Sequence, residues 1–400
     1  MLNSFQLIEL AERYSARNYH PLPVVISKAD GAWVWDVEGN KYLDMLSSYS
    51  ALNQGHLHPR IVKALTEQAQ KLTLTSRAFH NDVFGSFCEL LCGMTGQDKV
   101  LLMNTGTEAV ETAIKACRKW GHKVKGIENG EAEIIVCDNN FHGRTTSIVG
   151  FSSEAQYREG FGPFAPGFKL IPYDDINALE KAITPNTAGF LLEPIQGEAG
   201  IIVPSEGYLS KAKEICSKHE VLFILDEIQT GLGRTGRLFC YEYEDARPDI
   251  LIVGKALGGG CYPISAILSS QRIMSVFTPG DHGSTFGGNP LACAVGIASL
   301  RVILDEKLPE RAAELGAFFK KRLTELGSRH VEEIRGKGLL LGVYIKESSG
   351  TARPFCEALM KEGILAKETH GQVIRFAPPL VIKREDLEWA LVKIEKVLSV

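Results

Sequence analysis

Lys255 and Asp226 are two residues whose types and placing could do chemistry together. Each closes an apolar run: V-L-F-I-L-D ends in Asp226, and D-I-L-I-V-G is followed directly by Lys255. Such runs read as buried strands. Two parallel strands that finish in an acid and an amine deliver both groups to one sheet edge, where open α/β sheets bind ligands. A lysine held there can be desolvated, which favours the neutral amine. A neutral amine condenses with an aldehyde, which is Schiff-base chemistry. Taken singly, such a lysine is a solvated strand end and such an acid a cap or loop residue. The pair gains its meaning from the residues around it.

Three other stretches bear on that chemistry. In M-N-T-G-T-E-A-V-E-T, Thr105 and Glu108 have capping-box spacing, so the segment reads as a helix start. Gly106 and Thr107 would then offer free N–H groups and the positive end of the helix dipole to a phosphate. F-H-G-R, at 141–144, follows the strand E-I-I-V-C-D and supplies an aromatic ring and a cation. Alone, Phe141 reads as core and Arg144 as surface. Gly231, Gly233 and Gly236 match the dinucleotide fingerprint G-x-G-x-x-G. Their context fails it, because R-L-F-C-Y-E-Y-E follows without a helical pattern and Asp249 stands at the wrong end of the next strand for a ribose contact.

Elements must position these groups. Residues 1–49 open on an amphipathic helix pattern (Leu7, Ile8, Leu10, Ala11), then H-P-L-P, then strand-like G-A-W-V-W-D and K-Y-L-D-M-L. Over 50–298, helices carrying Ile61, Val62 and Leu65, and later Val110, Ala113, Ile114 and Cys117, alternate with the apolar runs E-I-I-V-C, G-F-L-L-E, V-L-F-I-L-D, D-I-L-I-V-G and S-A-I-L-S. That alternation predicts an α/β fold, a mostly parallel sheet between helices. Over 299–400, two helices, G-L-L-L-G-V-Y-I, a helix near 354–362, V-I-R-F-A and a closing helix predict a small α+β domain, which the N-terminal segment joins.

Composition narrows the function class. A chain of 400 residues with net charge -4 has length for a large domain and a smaller one, and has no basic tract for nucleic acid. The nine cysteines are an odd count, several within apolar runs, and read as reduced thiols in a cytosolic-type compartment. Cys88 and Cys92 lie one helical turn apart without further zinc ligands, and His56 and His58 also lack partners, so no metal site is expected. Glu9, Glu12, Arg13 and Arg17 interrupt the first twenty residues, against a secretory or transit leader. No apolar run approaches the ~20 residues of a membrane span. A cytoplasmic protein is expected.

D-E-I-Q-T-G-x-G-R-T-G followed by G-K-A-L resembles the signature of the class III aminotransferases, enzymes of pyridoxal 5'-phosphate (PLP). The resemblance covers nearly the whole chain and implies the fold type I of PLP-dependent transferases. It implies that Lys255 holds the cofactor, that Asp226 keeps the pyridine nitrogen protonated so the ring can take up electrons, and that Gln229 bonds the phenolic oxygen. Phe141 would stack on one ring face and Ile228 press on the other. Gly106 and Thr107 would bind the phosphate, joined by Thr285, with Ser284 beside it, from a neighbouring subunit. The working unit would then be at least a homodimer.

N-Y-H-P-L-P, D-M-L-S-S-Y-S-A-L-N-Q-G-H-L-H-P, E-P-I-Q-G-E-A-G, H-G-S-T-F-G-G-N-P and I-R-F-A-P-P-L are similar to the branch of that family acting on the terminal amine of ornithine. By that resemblance, Arg375 grips the α-carboxylate of 2-oxoglutarate, since its planar fork suits bidentate binding. Glu198 masks Arg375 while ornithine is bound, Arg144 holds the distal carboxylate, Tyr19 and Arg144 receive the ornithine head, and Tyr49 shapes the pocket between. Alternatives within the family are acetylornithine or 4-aminobutyrate as amine donor. A non-catalytic PLP-binding interaction protein would be expected to have lost Lys255, Asp226 or Arg375, and all three are present.

Overall fold

The computed structural model describes residues 2–399. Its centre is a seven-stranded sheet whose order is Lys99–Met103, Ser265–Ser269, Ile250–Val253, Leu222–Asp226, Thr187–Leu192, Glu133–Cys137, Phe168–Ile171. Adjacent strands from Ile250–Val253 to Phe168–Ile171 are parallel, and Ser265–Ser269 runs antiparallel to both of its neighbours. Every residue of Thr187–Leu192, Leu222–Asp226, Ile250–Val253 and Ser265–Ser269 is buried. Continuous burial follows from cover on both faces. Ile134, Val136, Ile224 and Ile252 pack with the helix Gly106–Trp120, whereas Ile135, Phe223, Leu225 and Val253 face the cluster holding Leu209, Ala212 and Cys293. Successive side chains thus alternate between two helical layers.

Two smaller sheets flank this core. Val331–Lys337, Leu340–Ile345, Val373–Phe376 and Lys367–Thr369 form an antiparallel sheet in that order. The N-terminal strands Ile26–Asp30, Trp33–Asp36 and Lys41–Asp44 form a meander that Ile364–Leu365 extends by parallel pairing. The start of the chain is therefore bonded to a segment near its other end. Among the described residues, no helix is long and apolar enough to cross a membrane.

Some elements depart from the sequence reading. Lys99–Met103 and Phe168–Ile171 are the sheet's edges, partly exposed and each carrying a lysine, so their apolar runs are short or interrupted. The N-terminal helix Ser4–Tyr14 forms behind an Asn3 capping box but buries no residue, and Phe5 and Tyr14 are exposed. Its amphipathic pattern has no core to meet within this chain. The helix expected near 354–362 spans Ala352–Lys361.

Candidate active site

A cavity of about 370 Å³ opens where Met103, Cys137, Leu192, Asp226 and Val253 end their strands. That volume lies in the range of small-molecule sites. It is lined by Gly106, Thr107, Phe141, Arg144, Asp226, Ile228, Gln229 and Lys255, all expected at the site, and by Tyr19 at its mouth. Asp226 lies opposite Ile252 in the parallel register, so Lys255 follows one short step beyond the same edge.

Asp226 is buried and hydrogen-bonded at both oxygens. Its Oδ1 accepts from the Ile228 amide at 3.0 Å, and its Oδ2 lies 2.8 Å from Nδ1 of buried His142. Burial opposes a charge on His142, yet the Asp226 contact outweighs it and raises the imidazole pKa. Glu193 stands nearby, accepting from the amides of Phe141 and Gly197, and burial pushes its pKa up to about 7. His142 and Glu193 escaped the sequence reading. The available signal was a histidine set between Phe141 and Arg144 just after a buried strand, and an acid at the end of G-F-L-L-E.

Lys255 is half-buried and begins a short 3-10 turn, Lys255–Gly258, with φ of 45°. A left-handed conformation at a non-glycine residue is held by its surroundings rather than by local preference. Burial lowers the Lys255 pKa, against the opposing pull of Glu198 and Asp226. The amine is thus shifted toward its neutral, nucleophilic form.

The helix Gly106–Trp120 starts as its sequence dictates. Thr105 accepts from the Glu108 amide, and Glu108 accepts from the amides of Asn104 and Thr105. Gly106 and Thr107 occupy the first turn, where amides lack intrahelical partners. A Cβ on Gly106 would meet Ile228 at 3.0 Å, and one on Gly143 (φ 121°) would meet the Thr107 hydroxyl at 2.1 Å. The backbone here is packed as close as glycine allows.

Beyond the cavity, Arg375 and Glu198 form a two-pronged ion pair at 2.7 and 3.0 Å. Burial works against the charge on Glu198, but the attraction of Arg375 outweighs it and brings its pKa down to about 2. Gln229 donates to Glu198 at 3.1 Å, and Thr369 donates to the Glu198 carbonyl at 2.5 Å. The Arg375 guanidinium carbon lies 5.3 Å from the centre of the Tyr49 ring. Tyr49 belongs to an unusual turn in which Ser47, Ser48, Tyr49 and Ser50 all have positive φ, between 45° and 71°. Side chains in that region cost about 1–2 kcal/mol per residue.

The remaining expected residues sit at the cavity's rim or outside it. Arg144 is exposed, with its guanidinium 4.0 Å from the centre of the Tyr157 ring, and Tyr157 itself meets Phe141 edge-on. Ser284 accepts from Asn104 at 2.9 Å, behind the turn that leads into Gly106. Thr285 is exposed and does not line the cavity.

The cavity suits PLP on its own chemistry. Among the described residues, His142 Nε2 and Gln229 Oε1 are buried without partners. Amides at a helix start, an apolar wall of Phe141 and Ile228, a buried carboxylate and a poised amine match a phosphate, an aromatic ring, a ring nitrogen and an aldehyde.

The chain matches the family model described as aminotransferase class-III over residues 14–398. It is 59% identical over 394 residues to the ornithine aminotransferase of Brevibacillus brevis, covering 98% of each. A solved ornithine aminotransferase from Toxoplasma gondii, described as having partial occupancy of PLP at the active site, aligns with a TM-score of 0.98 at 48% identity over 99% of this chain and 94% of that one. The acetylornithine aminotransferase of Elizabethkingia anophelis aligns with a TM-score of 0.90 at 51% identity, over 100% of this chain and 99% of that one.

Proposed function

The chain belongs to the class-III aminotransferases, PLP-dependent transaminases of fold type I, and on that premise we propose that it moves the δ-amino group of L-ornithine to 2-oxoglutarate. The products are glutamate 5-semialdehyde, which cyclises to pyrroline-5-carboxylate, and L-glutamate. The observation that carries this reading is the closed Glu198–Arg375 pair beside Tyr49. Ornithine must react through its terminal amine, whereas 2-oxoglutarate must react beside an α-carboxylate. An open arginine next to the reacting centre would seize ornithine backwards. With Glu198 on Arg375, a carbon chain ending in an amine fits, and a dicarboxylate has to displace Glu198 to enter.

Bound PLP supplies an aldehyde for the amine and a ring that accepts carbanion electrons. Lys255 would hold the aldehyde carbon and, once freed, its Nζ would take a proton from the substrate carbon and deliver it to that aldehyde carbon. Asp226, held by His142 and the Ile228 amide, keeps a proton on the ring nitrogen. Gly106 and Thr107 amides bind the phosphate, Phe141 and Ile228 enclose the ring, and Gln229 turns from Glu198 to the phenolic oxygen. Arg375 grips the α-carboxylate of 2-oxoglutarate and Arg144 its distal one. Tyr19 and Arg144 receive the ornithine head, and Tyr49 walls the space between. Ser284 and Thr285 serve the phosphate of a second copy, which makes a homodimer the working unit. A cytoplasmic enzyme serving proline formation or arginine breakdown accords with this chemistry.

The likeness to the acetylornithine enzyme favours a second reading, in which acetylornithine is the donor. One experiment separates them. The visible spectrum of the purified protein is followed through addition of ornithine, acetylornithine or 4-aminobutyrate, and then of 2-oxoglutarate. A yellow band bleached fastest by ornithine and restored by 2-oxoglutarate is expected; fastest bleaching by acetylornithine overturns the ornithine assignment. Glu198→Ala is expected to speed the half-reaction with glutamate relative to ornithine, and an unchanged ratio refutes the gate.

A further inference from the structure

Arg234 is fully buried; among the described residues no carboxylate hydrogen-bonds it, although the charge of buried Asp44 supports its own. Burying a guanidinium without a directly bonded carboxylate is unfavourable unless dense hydrogen bonding compensates it. Nη1 donates to the carbonyls of Leu339 (2.9 Å) and Pro378 (2.6 Å), and Nη2 to Ser47 Oγ (3.0 Å) and Asn53 Oδ1 (2.6 Å). None of these acceptors touches the cavity. What unites them is what they adjoin.

Ser47 opens the left-handed turn that carries Tyr49, and Pro378 follows the strand Val373–Phe376 that carries Arg375. Cross-links reinforce the join. Ser47 Oγ also donates to the Ala377 carbonyl at 2.6 Å, the Ala377 amide donates to Met45 at 2.7 Å, and Asn53 donates to Leu232 at 2.9 Å. Arg234 itself stands on the loop that begins with Asp226 and Gln229. One planar fork therefore ties the loop after the cofactor acid to both sides of the Arg375–Tyr49 contact.

We infer that Arg234 is a positioning residue for substrate choice: it holds the Tyr49 turn against the Arg375 strand, so that the gate discriminates an ornithine end from an α-carboxylate. This rests on the ornithine reading above. Lysine cannot replace it, because a point charge with one nitrogen cannot serve acceptors on both prongs.

The test compares PLP-loaded wild type, Arg234→Lys and Ser47→Ala, the last removing one acceptor without disturbing the buried charge. Two quantities are read: the ratio of kcat/KM for ornithine to kcat/KM for glutamate in single half-reactions, and amide hydrogen exchange over residues 45–53. Arg234→Lys is expected to lower the ratio at least tenfold and Ser47→Ala at least threefold. Exchange over 45–53 should quicken at least tenfold in Arg234→Lys while the strand at 222–226 stays as protected as in wild type. A merely structural role would lower both half-reactions in equal proportion, and that result, or unchanged exchange over 45–53, overturns the inference. If Arg234→Lys does not fold, Ser47→Ala decides by the same criteria. Wild type lacking any preference for ornithine would instead refute the functional reading, which the variant-to-wild-type comparison keeps separate.

Discussion

At the scale of single residues, the site is a set of charges displaced from their ordinary equilibria. Lys255 is pushed toward neutrality by burial, and Glu198 is held ionised by Arg375. Replacing Lys255 with alanine is expected to abolish the yellow band after dialysis and to lower turnover about a thousandfold or more, read by spectrum and by steady-state rate. The Glu198 pKa lies near 2 when folded, against 4.5 ordinarily. Its contribution to stability is therefore complete above about pH 4.5 and is lost as pH falls toward 2. Glu198→Gln leaves Arg375 buried beside a neutral group and should cost about 3 kcal/mol at pH 7. That deficit should shrink as pH drops through the same window, because the unfolded wild-type chain takes up a proton that the native state, with Glu198 held near 2, resists. Urea midpoints at pH 7 and pH 2.5 check it, and a constant difference would contradict the assignment.

At the scale of elements, what could be read from the sequence was what local pattern encodes. Asp226 and Lys255 were legible because buried strands end at them, and Gly106 because Thr105 and Glu108 announce a helix start. His142 and Glu193 were not, since each acquires meaning only from a neighbour far away in the chain. The turn at Ser47–Ser50 was also hidden: serines and a tyrosine carry no preference for positive φ, and tertiary bonds through Ser47 impose it. Exposed Ser48 reports that constraint. A β-branched side chain there is costly at φ of 48°, so Ser48→Val should lower stability by about 1–2 kcal/mol, whereas Ser48→Gly should not. Thermal unfolding of the two variants side by side is the measurement.

At the scale of the whole molecule, the glycines that imitate a dinucleotide fingerprint serve another purpose. Gly233 and Gly236 have φ of 93° and 94°, and a Cβ on them would press on Leu380, Pro309 and Ala313. Gly338 approaches from the other side, where a Cβ would lie 2.3 Å from the Thr235 carbonyl carbon. The loop is a wedge between the central sheet's layer and the C-terminal sheet, which local sequence does not reveal. Gly338→Ala should therefore cost about 3 kcal/mol, from overpacking and positive φ together, seen as a lowered melting temperature. Chain order adds a last consequence. Every wall of the cavity apart from Tyr19 comes from residues 105–255, while Arg375 arrives on Val373–Phe376. During synthesis, therefore, this chain's own lining of the vitamin's berth leaves the ribosome well over a hundred residues before the arginine that grips the oxo-acid.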